Sequence, residues 1–243
     1  MSWANYKDKV RRYFPFSKTE WNNFIILVLV FAFIWSFTEW GTTRFDFAEG
    51  LKNYFLTAII VAVIVFVHHA AQRLYGIFFG YRIEHKIWWA GLLAGVLAVL
   101  LTNGKAIILA ASAMQAHFLA THHIGTWRYG PSIFQIGLTA FSGPIAAVAI
   151  AFLLQLIAPA IFAGMFEFAL LFALYCIIPI PPLDGVHVFA ASRIYGFVFI
   201  FTLFAILAFL LLYFIAQLSI IWSLILAIVI GFACWLAFDY LVD

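Results

Sequence analysis

Charge is what this chain has least of. Only 9% of its 243 residues are Asp, Glu, Lys or Arg, against about 25% in an ordinary soluble domain. That excludes a water-soluble globular fold, and no polar stretch is long enough to form a separate soluble domain. Cysteine is equally scarce. Cys176 and Cys234 both fall inside apolar runs, so they read as small packing residues; a disulfide framework would need external loops and an oxidising compartment. The chain also lacks a Gly-rich phosphate loop, a Ser/His/Asp set and a nucleic-acid footprint. No internal repeat is visible, which argues against a transporter built from inverted halves. The first apolar run ends at Trp35-Ser36-Phe37-Thr38-Glu39-Trp40 without a small-residue cleavage site, so it is expected to stay as an anchor.

What is present is hydrophobic: 67% of residues, with a mean hydropathy of +1.09 and 29 Phe and nine Trp. Runs near 20 residues recur along the whole length, the length needed to cross a bilayer as helix. The fold class expected is an all-α polytopic membrane protein of six transmembrane helices, over about 22–40, 54–75, 133–156, 161–178, 195–214 and 219–241. Residues 1–21 intersperse Trp3, Tyr6, Tyr13, Phe14, Phe16 and Trp21 with basic residues, the pattern of an amphipathic segment at a membrane–water interface. Lys7, Lys9, Arg11, Arg12 and Lys18 there face only Asp8 and Glu20, and Arg73, Arg82 and Lys86 follow the second span. Basic loops stay cytoplasmic, so the N-terminus and the 73–86 loop are expected on that side. Six spans return the C-terminus to the same side, giving an integral protein of the cell membrane with both termini cytoplasmic.

The 87–131 region does not read as a simple span. Two short apolar limbs flank Thr102-Asn103-Gly104-Lys105, a turn signal. A re-entrant hairpin between the second and third spans is one reading, since irregular backbone at depth needs protein or a water-filled cavity to cover it. A single helix over 88–101 followed by an interfacial segment is the other.

Against this background a few polar residues stand out. His68, His69 and Gln72 sit near the end of the second apolar run, and Asp184 follows Pro179-Ile180-Pro181-Pro182-Leu183 at the end of the fourth. An ionisable side chain at a helix centre costs about 2.5–3.5 kcal/mol even on lenient insertion scales. Two such positions more than 100 residues apart, each at the same end of its span, point to one shared site. Zinc peptidases of the HExxH type carry two His at i and i+4 with the intervening Glu as general base. Here that frame reads His68-His69-Ala70-Ala71-Gln72: the first ligand position is kept, the base position is His69 and the second ligand position is Gln72. A metal, if held, would draw on His68 and Asp184, with Gln72 or His187 as further donors. His68 and His69 point about 100° apart on a helix, which argues against both reaching one ion. The alternative is a direct His68–Asp184 hydrogen bond in a polar pocket. His117, His122 and His123 form a second group that reads as an interfacial loop, and Glu167 and Glu39 as residues at helix ends.

In these motifs the chain resembles the site-2 protease family of intramembrane zinc metalloproteases, and particularly its compact six-span archaeal members. The resemblance rests on His68 in the second span, Ser142-Gly143-Pro144 in the third, Pro181-Pro182-Leu183-Asp184-Gly185 after the fourth, and their order. It implies a membrane-associated β-hairpin region after the second span, zinc held by the HExxH histidines and the aspartate, and a substrate lying beside Pro181, Pro182, Leu183 and Gly185. The departures fall on the chemistry. Besides His69 and Gln72, Cys176 and Ala147 stand where the family usually carries asparagines.

The expected function is therefore binding, by a proteolytically inactive relative that holds or scaffolds a membrane protein or transmembrane helix, with lipid around it and no nucleic acid. No catalytic residue and no cofactor is expected. The alternative is an active zinc protease with altered ligands, and a transporter or channel trails for want of buried charges lining a path.

Overall fold

The computed structural model describes residues 3–41, 45–119, 131–157, 159–192, 197–210, 212–213 and 217–242. Nine helices and two strands are described: α1 (Trp3–Tyr13), α2 (Lys18–Trp35), α3 (Phe47–Phe79), β1 (Tyr81–Ile87), α4 (Trp89–Leu101), β2 (Ser112–Phe118), α5 (Ile133–Ile157), α6 (Pro159–Ile177), α7 (Gly185–Ser192), α8 (Phe197–Leu210) and α9 (Ile220–Val242). Four helices are long and apolar enough to cross a membrane: α2, α3, α5 and, over Ile220–Ala237, α9. They mark the chain as an integral membrane protein. The expected spans 161–178 and 195–214 fall on α6 and α8. Their apolar stretches, Gly164–Ile177 and Phe201–Leu210, are shorter than the length that crosses by itself.

Local chemistry explains where the helices begin. Ser17 and Glu20 form a reciprocal capping box at α2: the Glu20 amide donates to Ser17 Oγ (3.3 Å) and the Ser17 amide to Glu20 Oε2 (2.8 Å). Two otherwise orphaned donors are thereby satisfied. At α3, Asp46 accepts from the amides of Ala48 and Glu49 at 2.9 and 3.1 Å. The helix then runs 33 residues to a left-handed Gly80 at φ 87°. That is about 50 Å of helix, well beyond the expected 54–75 and beyond a hydrocarbon core of about 30 Å, so one or both ends of α3 project past the apolar layer.

In the 87–131 region the helix expected over 88–101 is present as α4, Trp89–Leu101, whereas a hairpin of the two apolar limbs is not seen among the described residues. The two limbs around Asn103-Gly104 do not pair with each other. The first is helix α4, and the chain after the turn becomes β2, which pairs antiparallel with β1 from Tyr81↔Phe118 to Ile87↔Ser112. A helix is thus inserted between two paired strands, and the Trp88 amide closes the junction by donating to the Ala111 carbonyl at 2.8 Å. Paired strands after the second span were implied by the resemblance alone; hydropathy did not show them, because β1 lies just past the second apolar run and reads as a charged loop. Residues 120–130, including His122 and His123, lie outside the described residues.

The core is aromatic and aliphatic. Phe31 of α2 packs edge-on against Phe168 and Phe172 of α6, α3 lies along α5, and α7 sits beside α5. A buried side chain fastens the end of the N-terminal segment to this bundle. Arg73 on α3 is 1% exposed and donates through Nη1 to the carbonyls of Phe14 and Pro15 at 2.7 and 2.9 Å. Its Nη2 is paired with Glu20, and the guanidinium lies 4.0 Å from the centre of the Phe16 ring. Lys9 and Glu20, expected on a surface segment, are both buried.

Replacing Arg73 with Ala strands a buried carboxylate, a change that typically costs about 3–5 kcal/mol. Lys has one point charge and cannot reproduce the planar fork. We therefore expect Arg73→Ala and Arg73→Lys both to lower the thermal midpoint in detergent and to expose the link between α1 and α2 to limited proteolysis. Protease resistance equal to the parent's in Arg73→Ala would show that the fastening lies elsewhere.

Candidate functional site

Asp184 enters the bundle because the fourth apolar helix stops. Proline supplies no amide donor and ends a helix, and α6 ends at Ile177, just before Pro179. The chain turns over 178–184 and re-forms helix at Gly185. Gly185 has to be glycine-sized: a Cβ there would lie 2.1 Å from the Ile177 carbonyl oxygen. The turn folds back on the end of α6 and delivers Asp184, which is fully buried, against α3.

Three donors meet its carboxylate. Gln72 Nε2 donates to Oδ2 at 2.8 Å, His68 Nε2 lies 3.2 Å from the same oxygen, and the Met114 amide of β2 donates to Oδ1 at 2.9 Å. Gln72 is itself saturated. Its second N–H donates to the Ala140 carbonyl of α5 at 2.9 Å, and its Oε1 lies 2.9 Å from His85 Nε2. Since Oε1 only accepts, His85 carries its proton on Nε2. Burial pushes the His85 imidazole well below the usual histidine range, and among the described residues its buried Nδ1 has no hydrogen-bond partner.

Close helix approach makes this possible. A Cβ on Gly143 of α5 would come within 2.8 Å of Gln72 Cγ and of His68 Cε1. The small residue in the Ser142-Gly143-Pro144 segment is what lets α5 rest on the polar face of α3.

The structure thus brings His68, Gln72 and Asp184 together and separates His69 and His187 from them. His69 turns toward β2, where its Nε2 lies 3.0 Å from Ser112 Oγ, and its ring stacks on His85 with centroids 3.8 Å apart. The 100° offset between neighbouring helical positions accounts for the divergence. His187 is on α7, its amide donating to the Asp184 carbonyl at 3.0 Å, and it does not join the group of donors around the carboxylate. Leu183 is buried, whereas Pro181 and Pro182 are exposed. His117 pairs with Glu84 at 3.7 Å on the exposed side of the strands.

No protein-family model, curated protein or solved structure matches this chain.

Cys176, read as a packing residue at a position where the resembled family usually carries an asparagine and not foreseen as a donor, brings its Sγ into the group: donor atoms of His68, Cys176 and Asp184 lie within 4.8 Å of one another, all buried. Thiolate, imidazole and carboxylate are zinc donors in kind, and His68 Nδ1 is buried without a partner among the described residues. Their hydrogen bonds run otherwise. As arranged, His68 Nε2 and Gln72 Nε2 are spent on Asp184 Oδ2. His85, Ser112 and the Met114 amide were missed as well. The only signal for His85 was its position in an alternating stretch, since Tyr81, Ile83 and His85 share the buried face of β1.

Beside the site lies an apolar cleft of about 550 Å³ between α5, α6, α8 and α9, lined by residues including Phe141, Pro144, Phe166, Ile177, Phe209 and Ile228.

Truncating Gln72 removes one donor from a buried carboxylate and strands His85 and Ala140 together. Unsatisfied buried groups cost about 1–3 kcal/mol each. The expected outcome for Gln72→Ala is a fall in unfolding midpoint larger than that of Gln72→Glu at low pH, where a protonated Glu can still donate to Asp184. Equal midpoints for parent and Gln72→Ala would mean that the amide does not hold the carboxylate.

Proposed function

We propose that the chain is a site-2-protease-like membrane protein that has given up proteolysis and acts by binding, holding or scaffolding a transmembrane segment of another membrane protein. The observation that carries this reading is the Gln72 carboxamide on Asp184 Oδ2. In the family that the sequence resembles, the position of Gln72 holds an imidazole on zinc. Here it is a neutral amide whose three polar functions are all engaged within the protein. His69 occupies the general-base position and hydrogen-bonds Ser112. Without a carboxylate base, about 10²–10⁴-fold of acid–base catalysis is lost, and without an open metal position the activated water is lost too. The proline segment and the adjoining apolar cleft stay available to a partner helix. In this reading the chain has six spans, with α6 and α8 completing the set, and both termini lie in the cytoplasm.

A second reading is favoured by one feature, the grouping of His68, Cys176 and Asp184. In it these three residues hold a zinc ion, Cys176 standing in for the second histidine, and the protein is an intramembrane protease with altered ligands. When bound, zinc would supply Lewis acidity to a substrate carbonyl or to water. The chain itself would supply the three donors, and His85 and Met114 would hold the Gln72 and Asp184 side chains in place.

Metal content of the detergent-purified protein separates the two. The binding reading expects far less than one zinc per chain, no metal-dependent cleavage of membrane substrates, and co-purification of a membrane partner. It also expects that His69→Glu combined with Gln72→His, which restores the HExxH frame, raises zinc toward one per chain. Near-stoichiometric zinc in the parent, lost in both His68→Ala and Cys176→Ser, would overturn it in favour of the protease.

A further inference from the structure

Helix α1 is two-faced in a way no other described helix is. Tyr6, Lys9, Val10 and Tyr13 turn inward, at the i, i+3, i+4, i+7 spacing of a helix face, while Trp3, Lys7, Asp8, Arg11 and Arg12 are exposed. The inward face is held to the last turns of α3: Tyr6 Oη donates to the Leu74 carbonyl at 3.1 Å and its ring meets Phe78. The Arg73 bonds to Phe14 and Pro15 secure the other end. The outward face is left with cations and one indole. Lys7 Nζ lies 5.5 Å from the Trp3 ring centre, and Arg12 is partly cancelled by Asp8 at 3.1 Å.

This face does not stand alone. Lys18 opens α2, and Lys86 lines the same recess as Ser17, Thr19 and Glu20. Arg82 is exposed one turn of strand away. Around α1 and the strand pair, among the described residues, the exposed cations are Lys7, Arg11, Arg12, Lys18, Arg82 and Lys86, opposed by exposed Asp8 and by half-buried Glu84, which pairs with Arg82 at 3.5 Å. In the segments that face the other end the sequence balances Glu39, Asp46 and Glu49 with Arg44, Lys52 and Lys105.

We infer that the outward face of α1, with Trp3, Lys7 and Arg11 at its centre, is a docking surface for the anionic phospholipid headgroups of the bilayer the protein spans. Charge complementarity and position select this partner over an acidic protein. α1 is pinned to the end of one membrane-crossing helix and leads, after a four-residue link, into another, so headgroups are its unavoidable neighbours. Clusters of four to eight Lys/Arg on an amphipathic helix beside a span bind anionic lipid. Indoles favour the same layer, and Trp3 is 68% exposed on the cationic face. Trp21, Tyr75 and Phe78 add exposed rings at the same level.

The test uses the full-length protein in phosphatidylcholine–detergent micelles, titrated with phosphatidylglycerol while the thermal midpoint is read. A ligand bound only by the folded state raises that midpoint. The parent is expected to be stabilised, and added salt to weaken the effect. Lys7→Gln/Arg11→Gln should melt with the parent in phosphatidylcholine alone, because both positions are exposed, yet need roughly 20- to 30-fold more phosphatidylglycerol for the same shift. Three results would overturn the inference: no difference between the two lipids for the parent, an undiminished response in the variant, or a shift reproduced by soluble glycerol phosphate or by an acidic polypeptide.

Discussion

A carboxylate buried in an apolar bundle has to be surrounded by donors or it cannot be there, because an unpaired charge in low dielectric costs far more than any single packing contact returns. Asp184 meets that demand with three donors drawn from two separate elements: His68 and Gln72 from α3, and the Met114 amide from β2. Each donor is in turn held by something else. Gln72 is fixed by Ala140 of α5 and His85 of β1, the helices are allowed together by Gly143, and the aspartate is delivered by the tuck at Gly185. Much of the arrangement of α3, α5, the strand pair and the turn after α6 follows from keeping this one charge satisfied.

The same demand recurs one turn along α3, with the sign reversed. Arg73 is a buried cation, and it is matched by Glu20 and two backbone carbonyls of the N-terminal segment. Glu20 is shared between this pair and the capping box of α2. A helix start, a surface helix and a membrane span are thereby joined in one network, and its outward consequence is that α1 presents its cations at a set level against the end of the bundle. The two networks approach each other at β1, where the His85 amide donates to Glu20 Oε1 at 3.4 Å while its side chain serves Gln72. The strand pair links the polar site to the charged end of the molecule.

How much of this was legible beforehand varies with the physics involved. Apolar runs betray themselves, so α2, α3, α5 and α9 lie on expected spans. Their ends do not, and α3 exceeds its expected range because capping at Asp46 and Gly80, rather than hydropathy, sets its limits. His68, Gln72 and Asp184 stood out as polar residues in apolar surroundings, a contrast visible in one dimension. His85 and Ser112 had no such contrast, since β1 is rich in charge and β2 in small residues. Cys176 was singled out only through the resemblance, and its place among possible metal donors was not foreseen, because in an apolar helix a cysteine looks like any small hydrophobe until a carboxylate is found beside it.

Sequence alone determined that the chain lives in a bilayer, where its helices lie, and which few polar residues cannot be left to lipid, because composition and local periodicity are carried by neighbours along the chain. Only the tertiary structure decided that Gln72 caps Asp184, that His69 and His187 face elsewhere, and that residues 81–87 pair with 112–118 across an inserted helix. Those outcomes depend on which face of α3 meets α5 and β2, on where Gly143 and Gly185 let backbones close, and on hydrogen bonds between residues more than 100 positions apart. A buried charge takes whichever donors the packed elements bring within about 3 Å, and that is a property of the assembled fold.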